Sequence, residues 1–488
     1  MPELETAGVD HEGLMQVLAH NLYSTPEVAL RELVQNAHDS CTRRRLEDPD
    51  APSPVIHVRA DSEARTLSIR DNGAGLTHDE IGRYLATIGG GYTRVLRQEH
   101  DDEGLIGAFG LGFLSAYVVA DRVEVHTTSV HTPDVGHVFR SRDGLRFTVS
   151  EGPPGPVGTE VVLHVKRAHA SLSEPRRVRD LLDRYACLLT VPIHAPDLVN
   201  AKAPCWRADL EAMPPHAARA EVYRTAGAFE ARHEVLAAFP LLAPDGVEAG
   251  GVLWVHDGAT WATSDQRGVT VYVRGMLVSR DARELLPVWA GFAGAAIESD
   301  ALVPTASRED LQRDHRWTAI QEAVRATLVQ GFQRLASEEP HVWRRVLRRH
   351  NESLLGAALS DVTLFGLLRD ELEVPTSEGA MTLPEVARRG GGRVAVSVGD
   401  DSGYEVLLHR AAGRPVVDGS RFGAAAFATR WCDVSGHPAL VLGTRNADAS
   451  VFPEVVVPGA LRARLDGLFG EEDVAVVPSR FEPRVVPL

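Results

Sequence analysis

Three short segments restrict what this chain can fold into, because their order and spacing place an acid, a carboxamide and two glycine-rich turns within reach of one ligand. The first, Ala29 to Ser40, reads as a helix. The second, Asp71-Asn72-Gly73-Ala74-Gly75, closes a strand-like run, and the third, Gly107-Ala108-Phe109-Gly110-Leu111-Gly112-Phe113, leads into an apolar helix over Phe113 to Ala120. Glu32, Asn36 and Asp39 stand four and three residues apart, so a helix carries all three on one face. Leu30, Leu33, Val34 and Ala37 lie opposite and can pack inward. A carboxylate aimed into a cleft can polarise a water as general base. A carboxamide one turn away can hold Mg²⁺ through its oxygen, with water and phosphate oxygens as the other ligands. Taken alone, the stripe reads more readily as the solvated face of an amphipathic helix.

The second and third segments add weight. Thr66 to Arg70 alternates like a half-buried strand and runs into Asp71. An aspartate at a strand end can accept a hydrogen bond from an exocyclic base amine, which selects adenine. Gly73 and Gly75 let backbone approach a ligand with no Cβ in the way. The glycine loop before Phe113 offers backbone N–H groups and a helix N-terminus to phosphates. Each piece also has an ordinary reading, an Asp-Asn-Gly turn for one and a tight helix start for the other.

Together the segments resemble the heat shock protein 90 family of chaperones, within the superfamily that also holds gyrase, mismatch-repair and histidine-kinase ATPase domains. Arg31 to Ser40, Asp71 to Thr77 and Ile106 to Tyr117 are similar to that family's three nucleotide motifs, and Gly158 to Leu163 to its final pocket strand. Lys202 to Arg207, Val271 to Val278, Glu284 to Pro287 and Val303 to Gln312 resemble its middle domain, collinearly over most of residues 15 to 355.

The resemblance implies ATP and Mg²⁺ as cofactors and slow hydrolysis to ADP and phosphate. Carried over by position, Glu32 activates water, Asn36 binds Mg²⁺ and Asp39 lines the nucleotide site. Asp71 reads adenine beside Gly75 and Thr159, and Phe113 packs near the nucleotide. The loop carrying Gly107, Gly110 and Gly112 approaches the phosphates, and Arg308 reaches the γ-phosphate from the middle domain. A guanidinium there stabilises charge on the transferring group. Without its surrounding motif, Arg308 would read as a surface charge paired with Glu309 or Asp310. The sequence departs from the family after Ile88. Gly89-Gly90-Gly91-Tyr92-Thr93 stands where a small-residue stretch with a lysine is usual, with Arg94 following. Tyr84 replaces a frequent asparagine and Ala108 a usual glutamine. The triple glycine fits a mobile lid.

The fold class expected is α/β. An α+β sandwich ATPase domain over 1–196 is followed by a connector over 197–218. Then come a middle domain of the ribosomal S5-like type over 219–349, carrying the catalytic arginine, and a smaller α/β unit over 350–430. Residues 431–488 form a short divergent segment in place of the family's dimerisation domain, with Val455 to Val457 and Val474 to Val477 as strands. A constitutive dimer is therefore not expected, although self-association driven by nucleotide remains open. Val394 to Val398 and Glu405 to Leu408 are candidate strands of the smaller unit.

The chain has 488 residues, enough for about three cored domains. Its formal net charge of −16 disfavours a nucleic-acid partner. Lys166 and Lys202 are the only lysines. Cys41, Cys187, Cys205 and Cys432 show neither metal-ligand nor disulfide spacing and read as reduced, structural thiols. Without a signal peptide or an apolar span, the expectation is a cytoplasmic, stress-responsive chaperone with no membrane partner, acting on unfolded or partly folded clients. Two alternatives are a nucleotide sensor that barely turns over and a DNA-processing ATPase of the same superfamily. The second would want a lysine from its second domain and a basic groove. A histidine kinase would need a phosphoacceptor helix ahead of Glu32, where there is no room for one.

Overall fold

The computed structural model describes residues 25–85, 112–258, 260, 265–305, 310–398, 403–421, 423–443 and 458–469. It opens on helix α1 (Val28–Glu47), followed by strands β1 (Ile56–Asp61) and β2 (Thr66–Asp71). A short helix α2 (His78–Glu80) runs into a π-turn over Ile81–Leu85. The apolar run after Gly112 divides into a 3₁₀ turn (Gly112–Leu114) and α3 (Ser115–Val119), and Ala120 already begins β3 (Ala120–Thr128). Next come β4 (Gly136–Ser141), β5 (Phe147–Gly152), β6 (Gly158–Val165), α4 (Pro175–Tyr185) and β7 (Ile193–His194).

These strands form one sheet in the order β5-β4-β3-β6-β2-β1-β7, antiparallel except where β7 joins β1. Its inner face is apolar by simple alternation: Ile56, Val58, Leu67, Ile69, Val123, Val125 and Leu163 are buried there. Leu30, Leu33, Val34 and Ala37 of α1 complete this core. Each buried leucine or valine contributes about 1.5–3 kcal/mol, enough to fix the helix on the sheet. The opposite face of α1 is covered as well, since Glu32, Gln35, Asp39 and Arg43 are all buried. Of the stripe expected to face a ligand, Glu32 and Asp39 are enclosed and Asn36 is exposed.

A second sheet, in the order β11-β10-β12-β9-β8, lies beyond a 3₁₀ turn at Cys205–Arg207 and helix α5 (Pro215–Phe229). Its strands are β8 (Val235–Pro240), β9 (Gly250–His256), β10 (Gly268–Val273), β11 (Met276–Ser279) and β12 (Ala293–Glu298). Leu253 and Val255 face the core shared with α6 (His315–Glu338) and α7 (Pro340–Ser360), whereas Val252 and Trp254 face α5. The run Val269 to Val278 is a hairpin, turned by Arg274 at φ 53° and Gly275 at φ 76°. That turn meets the first unit directly: a Cβ on Gly275 would stand 2.7 Å from the Leu188 carbonyl oxygen. Beside it Leu188, Tyr272 and Leu277 are buried against Cys187, Trp206 and Phe229.

Helix α8 (Val362–Leu368) leads to a third sheet, ordered β14-β13-β16-β15-β17. It comprises β13 (Glu373–Thr376), β14 (Gly379–Thr382), α9 (Leu383–Arg389), β15 (Val394–Ser397), α10 (Gly403–Ala411), β16 (Val416–Asp418), α11 (Ala424–Ser435) and β17 (Ala439–Val441). Helix α12 (Gly459–Phe469) ends the described chain. Glu405 to Leu408, expected as a strand, lies inside α10. Leu408 is buried while Leu407 is exposed, and an apolar run this short cannot distinguish the two periodicities. Position 350 falls within α7 and position 430 within α11, and β17 extends the sheet past the latter. One continuous core joins the second and third sheets, from Trp317 and Phe332 through Leu364 and Phe365 to Phe427 and Trp431. Val455 to Val457 and Val474 to Val477 lie outside the described residues.

Candidate nucleotide-binding cleft

One wall of a cleft is α1 and its floor is the inner face of β2 and β6. Asp71, the last residue of β2, sits in register with Thr159 on β6. Glu32, Asn36, Asp39, Asp71, Gly75, Gly112, Phe113 and Thr159 all line this cleft. Gly107, Gly110 and Arg308, named with them from the sequence, lie outside the described residues, as do Gly89 to Arg94 and Ala108.

Asp71 is 6% exposed, and its Oδ1 accepts from Ser40 Oγ at 2.9 Å and from the Gly73 amide at 2.8 Å. Burial raises its carboxyl to about 7, against the lowering effect of the bonds from Gly73, Ser40 and Thr159. The turn that follows needs glycine. Gly75 has φ 67°, and a Cβ there would meet the Thr128 carbonyl oxygen at 2.1 Å. Replacing Gly75 by alanine should therefore lower unfolding free energy by at least about 1–2 kcal/mol, the left-handed penalty alone. Gly227→Ala is the comparison: helix α5 leaves its Cβ open space, and the substitution should gain about 0.5–1 kcal/mol. Urea unfolding of the two variants gives both values, and equal midpoints would contradict the packing described.

At the other end of the cleft, Glu32 Oε1 accepts from Arg31 at 3.1 Å, with both side chains buried. A Cβ on Gly112 would stand 2.4 Å from Glu32 Oε2, so glycine there lets the next turn close over the carboxylate. Asn36 is the exposed member of the stripe. Phe113 is 8% exposed and meets Tyr117 and Phe139 edge-on, with centroids 5.9 and 6.3 Å away. Thr159 Oγ1 shares a hydrogen bond with Thr127 Oγ1 at 3.1 Å.

Several lining residues went unnamed in the sequence reading. Ser40 and Arg43 each follow a named residue by one turn, Asn36 and Asp39 respectively, and that spacing was the available signal. Arg43 is buried, donating to Glu47 at 2.7 Å and to Glu80 at 2.6 Å. Glu80 in turn closes a capping box with Thr77, so Arg43 ties the cleft wall to α2. Ile69, Val125 and Val161 supply an apolar floor, two residues along their strands from the polar ones. Cys41 lies beneath, its thiol pushed well up by burial and then by Asp71, which suits a structural role. All four cysteines are free.

The arrangement suits a purine nucleotide: an apolar slot, one buried carboxyl to accept from an amine, and hard oxygen donors at the far end. Comparisons agree. Residues 23–143 match the family described as histidine kinase-, DNA gyrase B- and HSP90-like ATPase. The chaperone protein HtpG of Halorhodospira halophila is 31% identical over 366 residues, covering 67% of this chain and 57% of that protein. HtpG of Streptomyces coelicolor is 28% identical over 395 residues, covering 72% and 61%. The mitochondrial heat shock protein 75 kDa of Bos taurus is 28% identical over 333 residues, covering 65% and 47%. The chain thus spans roughly half to three-fifths of the length of these relatives.

Proposed function

The chain belongs to the heat shock protein 90 family, and from that premise we propose that it is an ATP-dependent molecular chaperone, acting in the cytoplasm on unfolded or partly folded clients. The observation that carries this reading is the convergence on one cleft of Glu32, Asn36 and Asp39 from α1 with Asp71 and Thr159 from the sheet.

Asp71 would accept the adenine amine through Oδ2, since Oδ1 is already engaged by Ser40 and Gly73. The apolar floor would take the ring. Asn36, exposed in the cleft between the buried carboxylates Glu32 and Asp39, fits a hard cation, and its carboxamide oxygen would hold Mg²⁺. The ion supplies charge neutralisation on the phosphates. Glu32, held in one rotamer by Arg31, would take a proton from the attacking water. Arg308, by its place in the family motif, would stabilise charge on the departing phosphoryl group. ATP can drive domain closure only by favouring the closed form over the open one.

The experiment is a client-protection assay. With a thermally unfolding enzyme as client, the parent should suppress aggregation in an ATP-dependent manner, and Glu32→Ala and Arg308→Ala should not. Protection that ignores nucleotide would remove the engine from the mechanism. Equal and negligible ATPase rates in all three proteins would favour the nucleotide sensor.

A further inference from the structure

The seven-stranded sheet buries one face beneath α1, α3 and α4, and among the described residues no helix covers the other; pairing registers place its outward residues in rows. One row reads His194, His57, Arg70, Glu160, His126, Val138 from β7 across to β4. The next reads Arg59, Ser68, Val162, Glu124, Arg140, and a third reads Asp61, Thr66, His164, Arg122. Four guanidinium groups thus share this face with three carboxylates and four imidazoles.

The carboxylates do not neutralise it evenly. Glu124 is only 8% exposed, enclosed by Arg122, Arg140 at 2.9 Å, His164 at 3.0 Å and His126 at 3.9 Å. Arg59 and Arg70 are exposed and form no ion pair with any other described residue. His57 and His194 stack beside them at 5.3 Å. Three shallow grooves run along the same face. Arg70 is common to two of them, and His57 and Arg59 are common to two.

We propose that this open sheet face is a docking surface for an acidic polypeptide segment of a partner protein, held by Arg59, Arg70 and the guanidinium groups around Glu124. Charge complementarity supports this occupant. The chain as a whole carries −16, so a sheet face with the exposed, unpaired Arg59 and Arg70 is a local attractor for an acidic partner. Neighbouring rows repeat every two residues along each strand, a spacing that alternate side chains of an extended peptide can meet. Half-exposed Val138 and Val162 sit among the charges and offer apolar contact that a sugar–phosphate backbone would not use.

The test uses the full chain and a fluorescein-labelled poly-L-glutamate of about twenty residues, followed by anisotropy at low and high salt. The parent should bind at low ionic strength and lose affinity steeply as salt rises. Arg59→Glu with Arg70→Glu should weaken binding at least tenfold while calorimetry shows ADP uptake unchanged. The milder Arg59→Gln with Arg70→Gln should give a smaller loss, and serves if the double reversal disturbs folding. Arg388→Glu, at an exposed position on α9, should bind like the parent. No binding at low salt, or an equal loss in Arg388→Glu, would overturn the proposal. So would tighter binding of a single-stranded oligonucleotide of equal length through the same two arginines.

Discussion

Removing the Glu32 carboxylate should reduce ATP turnover by about 10²–10⁴-fold, the usual worth of a positioned general base, and leave ATP binding nearly unchanged. The alanine variant has a complication visible in the structure. Glu32 and Arg31 are a buried pair, with side chains 4% and 5% exposed, and truncating one partner removes a buried charge-to-charge contact. Breaking such a pair commonly costs about 3–5 kcal/mol of stability. Glu32→Gln is therefore the sharper test. Its amide oxygen can still accept from Arg31, but it cannot take a proton from water at neutral pH. Steady-state phosphate release, with urea unfolding alongside, separates the effects. A glutamine variant that turns over within a few-fold of the parent would remove Glu32 from the role of base.

Asp71→Asn should weaken nucleotide binding by about 10–150-fold, equivalent to the roughly 1.5–3 kcal/mol of a hydrogen bond to a charged group. The asparagine can satisfy Ser40 and Gly73 with its oxygen, and then presents an NH₂ group to the adenine amine, donor against donor. A pH dependence accompanies this. The carboxyl titrates near 7 because burial disfavours the anion, and the anion is the form that accepts from adenine. Affinity should fall by up to about tenfold per pH unit below 7 and level off above it. The nucleotide's own phosphates titrate in the same range, so the difference between parent and Asp71→Asn isolates the residue. In the free protein the sign is opposite for folding. Between 3.8 and about 7 the folded chain holds this proton and the unfolded chain does not, so the carboxyl's contribution to stability declines as pH rises through that window. Calorimetric titrations at several pH values check both. A parallel pH profile in parent and variant would contradict the assignment.

The polar stripe of α1 was legible because helical spacing is rigid: residues four and three apart must share a face. What the spacing could not show is that this face is also buried, because that depends on Asp71, Gly112 and the strands brought over it from far along the chain. Ser40 and Arg43 were in plain view one turn from Asn36 and Asp39, but serine and arginine are common on solvated faces, and only their bonds to Asp71 and Glu80 single them out. The hairpin at Arg274-Gly275 was hidden inside a run of β-formers until its positive φ values were seen. Glu405 to Leu408 went wrong for a related reason. Three consecutive apolar residues satisfy a strand and a helix alike, and the sheet beneath α10 decided the matter. The smaller unit expected from 350 onward shares one core with the second sheet, and position 350 lies inside α7.

Helix α1 serves two masters. Because both of its sides are enclosed, Glu32, Asp39 and Arg43 are part of what keeps the first sheet covered, as well as instruments of any reaction there. Loss of activity would not by itself release them to drift, and their presence in a distant cousin is a record of architecture before it is a record of turnover. Asn36, exposed to the cleft, is the exception.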